Sequence, residues 1–389
     1  MQFFLLRISL ILIPLCLAVG FFPILPETVT EYLRAKDFLA LFFAGIISFS
    51  YLLEGSFKKQ KLIWINILLF YIILNQFLVP PLELYSDDPM KRILSKVVAD
   101  LWGYKPLSFI LIYYLFFLTI QEVVTSALSK ELIMKTLMWI GYISAGYVIF
   151  QALGMDPYQQ INNIQGSRLT TSNNLTSFMT HPNYSGSFIA ICIPFAIYFK
   201  KYWKMVTMIV TVFLTKCCFA IGAMTAGILF YIWVKSKNSK YELAVNVFIL
   251  CTLISGISIC HIHHFNDHGR TEVWFQMYED LKSRPFFGYG LGSFPVLFPL
   301  WHHRNWYQAH NEVLQFCFET GYVGGFILLS AIFSFTKSAI EKHQNNDILL
   351  ALTSSFIIIL MSSIGLFVWQ IEPHRYISVV IAGLIISFL

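Results

Sequence analysis

Arginine and histidine are the residues of this chain with the most chemistry to offer. Arg34, Arg92, Arg168, Arg270, Arg284, Arg304 and Arg375, every arginine except Arg7, lie in or beside the polar stretches on one side of the apolar runs, and so do nine of the 10 histidines. A guanidinium fork grips a carboxylate or phosphate bidentately, and an imidazole with an ordinary pKa near 6.5 accepts or gives up a proton near neutral pH. Anion recognition combined with proton transfer is the chemistry these types imply. The alternative is that the arginines snorkel to lipid headgroups or pair with Asp87, Asp88, Glu279 and Asp280.

Two polar stretches concentrate these residues. Asp156–Tyr184 is rich in Asn, Ser and Thr, and Arg168 is its one full positive charge. It closes on His181-Pro182-Asn183, where a proline in the first turn marks a helix start. The second stretch runs from 261 to 311 and holds Arg270, Arg284, Arg304 and His310. Within it, residues 271–283 have helical periodicity, with Val273, Trp274, Met277, Tyr278 and Leu281 on one face, as for a helix lying in a membrane interface. Gly288, Gly290 and Gly292 permit close backbone approach to a ligand, although G-Y-G-L-G-S lacks the βαβ context of a dinucleotide fingerprint. His261, His263, His264 and His268 sit close enough for a metal site but lack acidic or cysteine partners at fixed spacing. Asp87 and Asp88 form a second possible metal pair, with a turn or helix cap before Pro89 as the alternative.

Helices must position all of this. The chain has 389 residues, 57% of them hydrophobic and only 12% charged, with a mean hydropathy of +0.65. A soluble domain carries roughly 25% charged residues, and a disordered one has low hydrophobicity, so both classes are excluded. Apolar runs near the ~20 residues needed to cross a bilayer recur throughout. We place about twelve, at 4–24, 38–54, 62–80, 106–127, 133–154, 182–199, 205–217, 219–234, 242–260, 312–335, 348–369 and 375–389. Lys216 and Gly222 divide the run at 205–234 into two short helices rather than one long one. The expected fold is an all-α polytopic membrane protein, a single integral domain over 1–389 with helices in its loops.

Charge orients it. Lys58, Lys59 and Lys61, Lys130, Lys200, Lys201 and Lys204, Lys235, Lys237 and Lys240, and Lys337 and Lys342 fall on one side, which the positive-inside rule makes cytoplasmic. Both termini then lie there, and the loops at 155–181 and 261–311 lie outside. The formal charge of +6 is therefore no nucleic-acid signal. The seven cysteines lie in or beside apolar runs without disulfide or zinc spacing and read as small core residues. Met1–Gly20 has no cleavage signal and reads as a retained first helix.

The ordered elements from Gly269 to Gly324 carry a resemblance. Gly269-Arg270 with Trp274, then Pro285 and Gly288-Tyr289-Gly290-Leu291-Gly292-Ser293-Phe294, then His310-Asn311-Glu312-Val313-Leu314-Gln315, then Glu319-Thr320-Gly321-Tyr322-Val323-Gly324 resemble the signature of the O-antigen ligase and polymerase superfamily of bacterial envelope glycan assembly. Arg168 followed by His181-Pro182-Asn183 is similar to that family's arginine before an h-P-N helix start. One departure is Lys216-Cys217-Cys218, where many members have a Ser-Arg-Gly-like turn.

The resemblance implies a GT-C-type membrane fold in the bacterial inner membrane, with the active site facing the periplasm. It implies an inverting, metal-independent glycosyltransferase without cofactors. The donor would be an undecaprenyl-diphosphate-linked glycan and the acceptor a glycan or lipid A core, with membrane lipids as surroundings. His310 would be the base, Arg270 and Arg168 would take the diphosphate, and His181, Asn183, Gly290 and Asn311 would line the substrate site. Glu319 reads as structural, facing away from His310. Ligase and polymerase share this chemistry; a ligase is the leading expectation and a polymerase the alternative. A lipid-glycan transporter would need charged spans and internal repeats, and a metal-dependent enzyme would use Asp87 and Asp88.

Overall fold

The computed structural model describes residues 63–79, 107–124, 126–155, 175–177, 179, 181–237, 242, 246, 269–302, 306–342, 346–366, 368–370 and 374–389. Arg168, Arg304, the histidines at 261–268, Asp87 and Asp88, and the expected segments 4–24 and 38–54 lie outside these residues. So does most of 242–260. The described residues form α1 (Ile63–Leu78), α2 (Leu107–Val123), α3 (Ala127–Ala152), α4 (Pro182–Tyr198), α5 (Tyr202–Leu214) and α6 (Cys218–Ser236). They continue with α7 (Arg270–Leu281), α8 (Phe294–His302), α9 (Glu312–Lys342), α10 (Asp347–Ser362) and α11 (His374–Ile386). Among the described residues there is no strand, and α3, α6 and α9 are long and apolar enough to cross a membrane.

The run at 205–234 is indeed broken, at Thr215–Cys217, into α5 and α6. The expected segment at 348–369 is shorter than its apolar pattern: α10 stops at Ser362, and residues 363–366 and 368–370 are in turns and a bend. Hydropathy alone cannot see this end, because Ile364, Leu366 and Val368 keep the run apolar after the helix has stopped.

α4 is the hub. Its residues Ser185 to Ala196 are buried without interruption, and a helix apolar all round belongs inside a bundle. α3, α5, α6 and α10 pack against it. Small residues let these helices approach: a Cβ on Gly141 would fall 2.4 Å from the Cys192 side chain, and one on Gly227 would fall 2.3 Å from Ile358. α5 shows the complementary pattern, burying Lys204, Met208, Thr211 and Val212 while exposing Tyr202, Trp203, Val206, Val210 and Phe213.

One end of the bundle gathers lysines. Lys235 pairs with Asp347, the Lys342 ammonium donates to the carbonyl of Leu389, and Lys130 lies 3.6 Å from the centre of the Phe388 ring. Arg270, Arg284 and Arg375 are at or near the other end, where the N-termini of α4, α6, α7, α9 and α11 converge. The division by residue type is incomplete, since Lys216 and Lys282 also belong to the arginine end.

Candidate active site

A small second core supports the arginine end. Val273 and Met277 of α7 pack with Tyr289, with Phe294, Leu297 and Phe298 of α8, and with Ala309 and Phe318, flanked by Trp274 and Trp306. The periodicity of 271–283 therefore does make a helix, but its apolar face packs on α8 and α9 rather than on lipid. Tyr278, expected on that face, is exposed.

The glycine-rich element and the Glu319–Gly324 element interlock. α9 is kinked at Gly321, which has φ 74° and ψ 177°. A Cβ there would fall 2.1 Å from the carbonyl oxygen of Phe286, so a side chain is excluded by both conformation and space. The kink frees carbonyls of the first helical turns, and the glycine-rich turn satisfies them. Tyr289 N–H donates to Phe318 O at 3.1 Å and Gly290 N–H to Glu319 O at 2.7 Å. In return Tyr322 N–H donates to Pro285 O at 2.7 Å. From α1, the Tyr71 hydroxyl donates to Thr320 O at 2.6 Å and Asn75 to Phe287 O at 2.8 Å. The close approach that the glycines permit is thus made by the chain itself, and the amide of Gly290 is engaged in it.

Glu319 anchors the interior of this unit. It is fully buried and accepts from Gly292 N–H at 2.7 Å, from Phe294 N–H at 3.4 Å and from the Gln315 amide at 3.1 Å. Gln315 in turn accepts from Ala309 N–H at 3.1 Å. Glu319 does not contact His310 by these bonds, yet it does not stand apart either: the chain Glu319–Gln315–Ala309 ends on the peptide next to His310.

That peptide is gripped on its other side as well. The Trp274 indole N–H donates to Ala309 O at 2.7 Å. His310 itself has a left-handed backbone, φ 53°, which costs a non-glycine residue about 1–3 kcal/mol unless its surroundings impose it. The surroundings do impose it. Ala309 is held at both N–H and C=O, and on the far side Asn311 caps α9, its Oδ1 accepting from Leu314 N–H at 3.0 Å. The Trp306 ring lies edge to face with His310, centroids 5.5 Å apart.

Arg270 is the first residue of α7, entered through Gly269 with φ 82°. It is buried, and its guanidinium carbon lies 4.8 Å from the centre of the Phe219 ring, at the start of α6. His181 is the N-cap of α4, its Nδ1 accepting from Asn183 N–H at 3.2 Å. Its ring lies 5.2 Å from that of Tyr184.

Electrostatics tie these groups together. Burial, followed by the Arg270 charge and His181, pushes the His310 pKa down to about 3. Desolvation and then Arg270 lower His181 too. Arg270, His181 and His310, some 40 to 130 residues apart in sequence, therefore share one electrostatic neighbourhood. A cation beside two neutral imidazoles at the end of an apolar bundle can hold an anionic group and accept a proton next to it.

Residues 184–329 match the family model described as O-antigen ligase. Over that stretch the chain is similar to the O-antigen ligase family. Comparison with curated proteins finds no match. The matched stretch spans α4 through most of α9, so it includes Arg270, the glycine-rich interlock and His310, whereas His181 lies just before it.

Three further residues at this end of the bundle, His374, Glu312 and Arg375, stand outside the expected site residues. His374 opens α11, is fully buried, and has its Nε2 2.8 Å from the Ser187 hydroxyl, with the Tyr184 and Phe188 rings against it. Glu312 was quoted only as part of a motif, yet it is fully buried and bonded to the chain between α10 and α11. Arg375, noted only as one of the outer arginines, holds the same segment through Trp369 O at 2.7 Å. A histidine or arginine at the first position of an apolar helix was the available signal. Among the described residues no cluster of three His, Cys, Asp or Glu side chains is arranged to hold a metal.

Proposed function

We propose that this protein is an inverting glycosyltransferase of the inner membrane that moves a glycan from undecaprenyl diphosphate to an acceptor hydroxyl of lipid A core at the periplasmic face, the arginine end of the bundle. The observation that carries the reading is the shared neighbourhood of Arg270, His181 and His310, inside a domain whose family assembles O-antigen. The acceptor oxygen attacks the anomeric carbon, the carbon–oxygen bond to the diphosphate breaks, and undecaprenyl diphosphate leaves with the bonding pair. The acceptor proton passes to His310. A sugar diphosphate is already activated, so a base and positive charge suffice. Arg270, together with Arg168, offsets the departing charge that would otherwise call for a divalent ion. His181, Asn183 and Asn311 line the donor side, and Gly290 shapes it through the interlock. Twelve or so spans in a GT-C-type arrangement, with both termini cytoplasmic, complete the picture.

The lowered pKa of His310 has a chemical use in this scheme. With the donor absent, burial and then the Arg270 charge keep the ring unprotonated. When the diphosphate neutralises Arg270, that part of the depression is removed, and the ring becomes a stronger base once there is a leaving group to work with.

The test is reconstitution of the purified protein with a lipid-linked repeat unit and lipid A core, with and without chelator. Glycan on the core, insensitive to chelator, is the expected product. A ladder on the carrier would instead make it a polymerase of the same superfamily, and no transfer at all would overturn the reading.

A further inference from the structure

The proposed base and the proposed diphosphate ligand are tied to one short segment, the strap between α10 and α11. On the His310 side the tie is Glu312. Its N–H donates to Ser363 O at 3.0 Å, its Oε1 accepts from Trp369 N–H at 2.7 Å, and its Oε2 accepts from the Gln370 amide at 3.0 Å. Arg375 grips the same two residues by their carbonyls, donating to Trp369 O and to Gln370 O. The strap is thus clamped by a carboxylate on its amide groups and a guanidinium on its carbonyls.

On the Arg270 side the tie is Phe219. Strap residue Gly365 lies flush against this ring: a Cβ at 365 would fall 2.0 to 2.3 Å from three of the ring's carbons. The same ring carries the Arg270 guanidinium at 4.8 Å. The backbone of Phe219 is set by the first turn of α6, where Cys217 Sγ accepts from Ala220 N–H at 3.4 Å. An arginine side chain has several rotatable bonds, and a desolvated aromatic face both attracts its charge and limits its orientations.

We propose that Phe219, backed by Gly365 of the strap, is a positioning residue that holds the Arg270 guanidinium where it receives the donor's diphosphate. This rests on the reading of Arg270 above. It makes the aromatic face, and not only apolar bulk, the property that matters at position 219.

The experiment measures binding of undecaprenyl diphosphate to the full-length protein in nanodiscs, alongside the melting temperature of each variant. Phe219→Leu keeps the bulk but removes the π face, and should weaken binding about 3- to 30-fold, the range of a desolvated cation–π contact. Phe219→Tyr should restore binding to within about twofold, since it keeps that face. Gly365→Ala displaces the ring and should reproduce the loss in the wild-type background, yet add little on top of Phe219→Ala, where the space is open. Equal binding by Phe219→Leu and wild type, or equal losses in Phe219→Leu and Phe219→Tyr, would overturn the positioning role. Wild-type binding by Arg270→Ala would instead remove the diphosphate reading itself, so the two failures are distinguishable.

Discussion

Both ends of the bundle bury a cation against aromatic rings, but they do so for different purposes. At the lysine end, Lys204 is only 3% exposed, with its ammonium 3.0 Å from the centre of the Trp139 ring, 4.5 Å from Tyr142 and 4.7 Å from Trp203. At the arginine end, Arg270 rests on Phe219 and faces two histidines whose protonation it opposes. The lysine end has a left-handed residue of its own, Lys200 after α4 with φ 54°, and its cations are held by rings, a carboxylate and a carbonyl. The arginine end adds to its left-handed residues, Lys216 and His310, a kink at Gly321 of α9 and buried hydrogen-bond chains. The Lys204 ammonium is enclosed by three rings, whereas the Arg270 guanidinium lies where it lowers the pKa of two histidines. On the function proposed above, the contrast is between charge that orients a membrane protein and charge that serves chemistry.

The largest effects that would break this contrast belong at the arginine end. His310→Ala should lower glycan transfer roughly 10²–10⁴-fold, the usual worth of a general base, with yield and melting temperature near wild type. Lys204→Gln, at the opposite end, should change transfer less than about twofold, because an isolated structural cation has no share in the chemistry. A comparable loss in both variants would erase the distinction between the two ends.

Arg270→Lys comes next. A lysine keeps the charge but loses the planar fork, and transfer should fall about 10- to 100-fold, chiefly through weaker donor binding. Steady-state kinetics with varied lipid-linked donor would show it as a raised KM. Trp274→Phe then tests the grip on the His310 loop. Losing the bond to Ala309 O leaves a buried carbonyl unsatisfied, at a cost of about 1–3 kcal/mol, which should lower kcat and the melting temperature together.

The last test is in pH. The folded-state pKa of His310 is about 3, below the ordinary value of 6.5. The unfolded chain therefore takes up a proton that the folded site refuses, and this contribution to stability is fully present above about pH 6.5 and lost as pH falls toward 3. Its slope is at most about 1.4 kcal/mol per pH unit in that window. His310→Gln should flatten the acid limb of a melting-temperature profile in detergent. A limb unchanged from wild type would mean that the ring is not held neutral.

Much of the molecule was legible before any contact was known. The positions of α3, α4, α5, α6, α9 and α11 follow their apolar runs to within a few residues, except that α3 begins six residues early and α9 runs on to Lys342, because an apolar stretch between polar ones has few options in a bilayer. The order of Gly269-Arg270, the glycine-rich turn, His310-Asn311 and Glu319–Gly324 pointed to a family whose model then matched that stretch. The end of α10 was not legible, since its turn is built from residues as apolar as the helix. Nor were His374 and Glu312, whose importance lies in partners far along the chain.

What the sequence by itself determined is therefore local or additive: membrane residence, helix spans, the sorting of most charges by side, and the motif order. These depend on composition, periodicity and the cost of placing charge in hydrocarbon. The tertiary structure decided which residues meet. It brought the N-termini of α4, α6, α7, α9 and α11 to one place, so that Arg270 acts on His181 and His310. It turned Gly288–Gly292 toward the kink at Gly321, and it tied Glu319 to the His310 loop through Gln315. No spacing rule contains these facts, because they arise from close packing of helices whose contacts are set by shape and by the need of every buried polar group for a partner.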